Sequence, residues 1–274
     1  MKIEIIIILL FLAVIIVGGC ETETKEFEND DLVVLEGYIY QNEPVTHICL
    51  SKTLSFGSTD TVFKSIYDAE VFIGWNGDQY LLNPAGDGIY QYLSNDLQIL
   101  EGNTYSITVN YNNKSIQAET TVPAKPTGVH LSATTISINE SLTPWEMREQ
   151  GLNEIQVTWE NPENDYFYVV VENTEENPES IDFGFQLPTG LANFRFLSQP
   201  FKTDTYVLRI FLSIQQYGTH VVRVYRVNQE YADLYENREQ DSRSLAEPLT
   251  NVHNGLGIFT AFSYEEAIFE VVKQ

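Results

Sequence analysis

Leu100-Glu101-Gly102-Asn103-Thr104-Tyr105-Ser106-Ile107-Thr108-Val109 decides the fold class of this chain. Gly102 and Asn103 are turn residues. After them Tyr105, Ile107 and Val109 alternate with Thr104, Ser106 and Thr108, the period of two that marks a strand with one buried and one wet face. The flanking sequence repeats this texture. Residues 32–40, LVVLEGYIY, read as a first strand, with Gly37 a bulge or close-packing point. Residues 45–51 place His47 and Cys49 on one face and Ile48 and Leu50 on the other. Residues 68–75 run into Asn76-Gly77, a two-residue hairpin turn in which both positions tolerate positive φ, and 79–82 return. Strands follow from 88 and over 114–122, and the prolines of 123–126 read as a linker. Many short strands between turn signals predict an antiparallel sandwich.

Within that frame Tyr105 resembles the tyrosine corner of sandwich domains, where a Tyr caps a crossing before its strand alternates inward. A second unit begins after Pro126. Residues 129–138 read as a strand and 139–151 as a polar loop. An alternating strand over 154–159 ends at Trp159, a polar turn follows, and residues 166–171 are aromatic and β-branched. Those twenty or so residues resemble fibronectin type III. Residues 205–214 and 219–227 read as a strand pair around Gln215-Gln216-Tyr217-Gly218. One helix is expected after Asn228 as N-cap, with Glu230 at its positive end and Tyr231, Leu234, Tyr235 and Arg238 on one face. Residues 256–262 and 267–272 read as two closing strands. The predicted fold is all-β: two antiparallel β-sandwich domains, immunoglobulin- or fibronectin-like, over 32–122 and 127–274, with one short helix in the second.

Charge limits the partners. Lys and Arg number 15 against 39 Asp and Glu, a formal net charge of -24. Phosphate contacts need cations, so nucleic acid is excluded as a partner, and anionic headgroups are repelled. Aromatic residues at 12% supply packed cores and argue against disorder.

The amino terminus supplies a location. Lys2 precedes an apolar run over residues 5–17, then Val17-Gly18-Gly19-Cys20. A charged start, an apolar stretch and small residues before a cut describe a secretory signal, and the run is shorter than the ~20 residues that span a bilayer. With cysteine next, the stretch resembles the lipobox of bacterial lipoproteins, in which the thiol is diacylated. Glu4 departs from the usual positive start. The expectation is a signal peptide over 1–19, a lipid such as palmitate on Cys20, and an acidic tether over 20–31. Acidic residues just after the cysteine resemble the surface-export signals of Bacteroidetes lipoproteins. Removing Lys2 and Glu4 together leaves the charge unchanged. With Cys20 lipidated, Cys49 is alone, and no intramolecular disulfide is expected.

Several stretches in order resemble one family: the tether leading into LVVLEGYI, then DAEVFI, GIYQY, EGNTYSITV and AETTVP, and finally Asn251-Val252-His253-Asn254-Gly255-Leu256-Gly257-Ile258-Phe259. They resemble the Bacteroidetes lipoproteins called domain of unknown function 4249 (DUF4249), and the first unit is also similar to carboxypeptidase-regulatory-like sandwich domains. The resemblance implies an outer-membrane lipoprotein accompanying a TonB-dependent receptor. It carries over no catalytic residue, because no activity is established for the family.

Chemistry is sparse. His47, His130, His220 and His253 fall into no zinc spacing, and no nucleophile elbow, Walker loop or dinucleotide fingerprint occurs. Abundant carboxylates nominate no acid–base pair, so no enzyme is expected. No cofactor is expected either; calcium is the one candidate, at residues 83–88 and 161–165, where the same residues are also ordinary turn formers. Phe183, Phe185, Phe194 and Phe196, with Phe201, sit among Gly, Pro and Asn and either fill the second core or form a patch for a partner. Trp145 lies in the expected loop, where it either packs or stacks on a sugar. The function expected is an accessory binding lipoprotein exposed at the cell surface, anchored to the membrane through lipid. The alternative is a surface adhesin or glycan-binding module.

Overall fold

The computed structural model describes residues 32–53, 63–149, 154–183, 195–236 and 250–274. The expected signal, Cys20, the tether, Phe185, Phe194, Arg238 and Pro248 lie outside these. The first unit holds β1 (Val33–Tyr40), β2 (Val45–Lys52), β3 (Lys64–Ser65), β4 (Glu70–Trp75), β5 (Asp78–Leu81), β6 (Asn83–Gly86), β7 (Ile89–Tyr92), β8 (Thr104–Tyr111) and β9 (Lys114–Thr121). The rest holds β10 (His130–Leu131), β11 (Thr135–Ile138), α1 (Pro144–Glu149), β12 (Glu154–Thr158), β13 (Tyr166–Asn173), β14 (Arg195–Leu197), β15 (Thr205–Arg209), α2 (Ile210–Ser213), β16 (Gly218–Val227), α3 (Gln229–Glu236) and β17 (Leu256–Lys273).

The chain is all-β, and two sandwich cores lie on either side of residues 123–126. Alternation builds the first. Tyr105, Ile107 and Val109 of β8 meet Leu35, Ile39, Ile48 and Leu50 of β1 and β2 across a dry interface. In the second, Ile155 and Val157 of β12 face Phe167, Val169 and Val171 of β13 and Val222 and Val224 of β16. Tyr105 closes its corner as expected. Its phenol donates to the Gln98 carbonyl at 2.6 Å and accepts from the Leu100 amide at 2.8 Å. Tyr105→Phe leaves both backbone groups short of a partner and is expected to cost about 1–3 kcal/mol, read as a lowered urea midpoint at unchanged slope.

The sequence did not reveal that one sheet serves both cores. Its order is β14-β13-β16-β17-β1-β2-β7-β6, with β11 on β17 and β3 on β2. Smaller sheets, β5-β4-β8-β9 and β10-β12-β15, cover its two ends. The joint is β17. Its first half runs parallel to β1 from Val34↔Leu256 to Tyr40↔Phe262. The whole of it pairs with β16 or β11 beyond that point. At ~3.3 Å per residue its 18 residues span about 60 Å.

Three expectations are corrected here. Residues 256–262 and 267–272 are one strand, not two. The polar Ser263-Tyr264-Glu265-Glu266 between them contains no Gly, Pro, Asn or Asp to turn the chain, and its side chains are spent on neighbours. Buried Ser263 donates to the Ala124 carbonyl of the linker at 2.9 Å, Glu265 pairs with Lys125, and Glu266 with Arg223. Residues 205–214 and 219–227 do not pair with each other: β15 joins β12, β16 joins β13 and β17, and residues 210–213 form α2 where strand was expected. Finally, 139–151 is not all loop. Thr143 caps α1, its Oγ1 accepting from the Glu146 amide while the Glu146 carboxylate accepts from the Thr143 amide at 2.7 Å. That is a capping box with Pro144 at the first helical position, a signal legible in Thr-Pro-Trp-Glu. The chain therefore has three short helices among the described residues, of which α3 is the one expected.

Candidate functional site

The shared sheet has one face on the cores and one face outward. Register places the outward side chains in rows. Tyr168 of β13 lies opposite Tyr225 of β16, which lies opposite Tyr264 of β17. Val227, Phe262 and Tyr40 form the next row and Arg223 and Glu266 the one before. The Tyr168 and Tyr225 rings stack with centroids 4.6 Å apart and planes at 1°, and Tyr40 stacks on Phe262 at 5.1 Å. Helix α3 covers one end. Tyr231 meets Phe262 edge-on at 4.9 Å and Tyr38 at 6.4 Å. The expected N-cap, Asn228, begins the helix through its carbonyl but turns its amide to Thr120 and the Thr121 carbonyl of β9.

Beyond the helix Tyr168, Tyr225, Val227 and Phe262 are still buried, and exposure begins at the rim of this face. Tyr40 and Tyr264 are half-buried, and Leu197 and Ile268 are 46% and 59% exposed. Arg223 bridges Glu172 and Glu266, and Arg195 reaches Glu172 at 2.6 Å. Tyr264 donates to Glu43 at 2.8 Å. Burial pushes the phenols of Tyr38, Tyr40, Tyr225 and Tyr264 up to about 12, and those of Tyr168 and Tyr231 higher still. At neutral pH all are uncharged O–H groups. They offer no phenolate base or nucleophile, and they form a third, largely buried aromatic cluster whose rim is exposed. Tyr and Arg are the side chains that anchor protein interfaces.

The residues singled out in the sequence fall elsewhere. Phe183 is 8% exposed and belongs to the second core, and Phe196 packs against that core with its ring 6.0 Å from Tyr206. The patch reading is thereby corrected for these two, since alternation on β14 turns Phe196 inward and leaves Leu197 outside. Trp145 is 63% exposed on α1, its indole donating to Glu149 at 2.9 Å. Cys49 is half-buried; burial, with Glu36 beside it, raises its thiol pKa and disfavours the reactive thiolate. The 161–165 turn closes on itself, Asn161 accepting from the Asp165 amide and donating to its carbonyl, while Asp165 pairs with Arg226. Among the described residues no group of three or more His, Cys, Asp or Glu is placed to hold a metal ion, and no helix is long and apolar enough to cross a membrane. The aromatic face escaped the sequence reading because its residues come from five separated elements.

His220 is buried at 3% exposure and stacks on Phe269. Its Nδ1 lies 3.0 Å from the Gly218 carbonyl, and Asn173 Nδ2 faces its Nε2 at 3.4 Å. That arrangement holds the neutral ring, and burial lowers its pKa, opposed by the Gly218 contact and Glu175. The unfolded chain therefore binds this proton first. Stability is expected to fall as pH drops from about 6.5 toward the folded pKa, by at most about 1.4 kcal/mol per unit. Urea midpoints from pH 7.5 to 5 check this, and His220→Gln should flatten the slope. The further losses below about 4.5 belong to Glu140, Glu146 and Glu175, whose hydrogen bonds lower their pKa.

Compared with profiles of known families, residues 20–268 match the one described as Domain of unknown function (DUF4249). No curated protein matches. Among solved structures the chain is similar to the FN1-FN3 domains of chicken CNTN1, at 11% identity and a TM-score of 0.26, over 73% of this chain and 60% of that one. It is similar to titin domains A168-A170 at 12% identity and 0.21, over 89% and 66%. It is also similar to a titin A168-A169 fragment at 8% and 0.22, over 89% and 97%. The chain thus spans under two thirds of the first two fragments. With TM-scores this low the likeness carries no argument, and the fold is read from the strands and cores.

Proposed function

This chain belongs to the DUF4249 family, and from that premise we propose that it is a lipid-anchored outer-membrane lipoprotein that binds a TonB-dependent uptake receptor and catalyses no reaction. One observation carries the reading: Val17-Gly18-Gly19-Cys20 closes an apolar run and opens an acidic tether, and the family match begins at that cysteine. A single acyl chain binds a membrane only reversibly, whereas two hold it firmly. Diacylated Cys20 would fix the fold at a membrane surface, and the acidic tether would give it reach. The exposed rim of the aromatic face, at Leu197, Tyr264 and Ile268, is the surface on which we place the receptor.

The test is an affinity purification of C-terminally tagged protein from solubilised outer membranes, read by mass spectrometry. A stoichiometric TonB-dependent receptor is the expected result, with Ile268→Asp and Tyr264→Asp releasing it. Cys20→Ser should remove both labelled palmitate and membrane association. Recovery from the inner membrane with no receptor would overturn the proposal. A second reading, a surface adhesin or glycan-binding module, is favoured by the exposed indole of Trp145. Retained cell adhesion in Trp145→Ala would remove that support.

A further inference from the structure

The four-stranded sheet β5-β4-β8-β9 turns its second face away from the core and presents a groove of about 520 Å³. Gln79, Ser106, Thr108, Gln117, Glu119 and His253 line it, most of them standing on two rows of the sheet. Register sets Leu81, Phe72, Thr108 and Gln117 in one, and Gln79, Gly74, Ser106 and Glu119 in the other. The bare Gly74 leaves room for Ser106, whose Oγ lies 2.4 Å from where a Cβ would stand. The first row is extended by His253, which bridges Gln117 through paired backbone hydrogen bonds of 2.7 and 3.2 Å. Asn251 fixes that wall, donating to the Glu119 and Phe259 carbonyls and accepting from the Phe259 amide.

The frame is thus rigid while its polar tips are unspent. Among the described residues, the side chains of Gln79, Ser106, Thr108, Gln117, Glu119 and His253 make no hydrogen bond to another protein group. Amides, hydroxyls and an imidazole offer both donors and acceptors. Beside the groove, in the same row as Thr108, Phe72 is half-buried and Leu81 is 52% exposed, so apolar surface adjoins it. Glu119 and the net charge of -24 reject anions, and a wholly apolar ligand would strand the polar tips. Among the described residues Glu119 is the one carboxylate in the lining, too little for a cation site, so the groove best suits a neutral ligand with many hydroxyls and one C–H face.

We propose that this groove binds a neutral oligosaccharide, its hydroxyls on Gln117, Glu119 and Ser106 and one sugar face on Phe72. This deepens the second reading above and stands whether or not a receptor is found. The test is saturation-transfer NMR with the full-length chain in a detergent that lacks a sugar headgroup. The probes are gluco-, manno-, xylo- and galacto-configured hexasaccharides at millimolar concentration. At least one is expected to bind saturably. The double variant Gln117→Ala/Glu119→Ala, which touches only exposed side chains and keeps the backbone bridge, should weaken it at least about tenfold, the loss of one to two hydrogen bonds. Val207→Ala, at an exposed position of the separate sheet β10-β12-β15, should leave binding unchanged. If no hexasaccharide binds, or binding survives the double variant, the proposal is overturned. Loss in Trp145→Ala alone would place the sugar on α1, sparing the glycan reading but not this groove.

Discussion

Replacing Gly257 by Ala is expected to destabilise the protein by roughly 3–5 kcal/mol, close to the whole stability of many domains. The reason is the crossing at which β17 enters the sheet. Asn251 to His253 run along the outer edge of β9, where Asn254 also donates to the Ser115 carbonyl. The chain must then swing inward and lie parallel to β1 from Leu256 on. Gly257 makes that swing at φ +105°, directly beside the backbone of Leu35. A Cβ there would sit 2.0 Å from the Leu35 carbonyl oxygen and 2.8 Å from its carbon. Leu35 is fully buried in a strand bonded on both sides, so its backbone has nowhere to retreat. Gly77 supplies the contrast. It too has positive φ, at +90°, but a Cβ would meet nothing within 4 Å. Gly77→Ala should therefore cost only the conformational term, about 1–2 kcal/mol. Urea denaturation of both variants separates steric from conformational cost. A Gly257→Ala midpoint as high as that of Gly77→Ala would show that the parallel pairing yields easily and that this account of the motif is wrong.

That crossing also shows what sequence can and cannot reveal. Period-two alternation is a local property, and it marked the strands β1, β2, β8, β9 and β12, with the inward face of Tyr105, Ile107 and Val109 on β8. Asn76-Gly77 and Tyr105 are local too: the first turns with φ of +52° and +90°, and the second closes on backbone only a few residues away. Strand partnership is not local. Nothing in residues 256–262 states that their neighbour is β1, more than two hundred residues earlier. A hydrophobic run buried on both sides reads alike whatever it pairs with. The sharing of one sheet between two cores was hidden for the same reason. So was the aromatic face: Tyr40, Tyr168, Tyr225, Tyr231 and Tyr264 are each a single aromatic on its own element, and only pairing gathers them. The Phe-rich stretch that drew attention instead was conspicuous because it was contiguous, and where it is described it packs inward.

Glu230→Ala is the second large effect expected, at about 3–4 kcal/mol. The carboxylate of Glu230, in the first turn of α3, accepts from Thr120 Oγ1 at 3.0 Å, Thr260 Oγ1 at 3.1 Å and Asn228 Nδ2 at 3.2 Å. Thr120 belongs to β9 of the first unit and Thr260 to β17. One side chain therefore ties helix, shared strand and covering sheet together. The two threonines are 4% and 0% exposed, so each hydroxyl loses its acceptor in a buried setting. Most of the cost then lies in stranded donors rather than in lost attraction, and this makes the account testable beyond its size. Thr120→Val and Thr260→Val remove those donors at nearly constant shape. Added to Glu230→Ala, they should restore much of the loss, since deleting both partners of a buried hydrogen bond is far cheaper than deleting one. Each Thr→Val change alone, with Glu230 still present, should cost about 1 kcal/mol. Unfolding should stay a single transition in every variant, because β17 contributes Phe259 to one core and Phe269 to the other, and neither core can open without it. If the triple variant is no more stable than Glu230→Ala, the carboxylate acts by packing α3 onto the aromatic face rather than by satisfying buried hydroxyls.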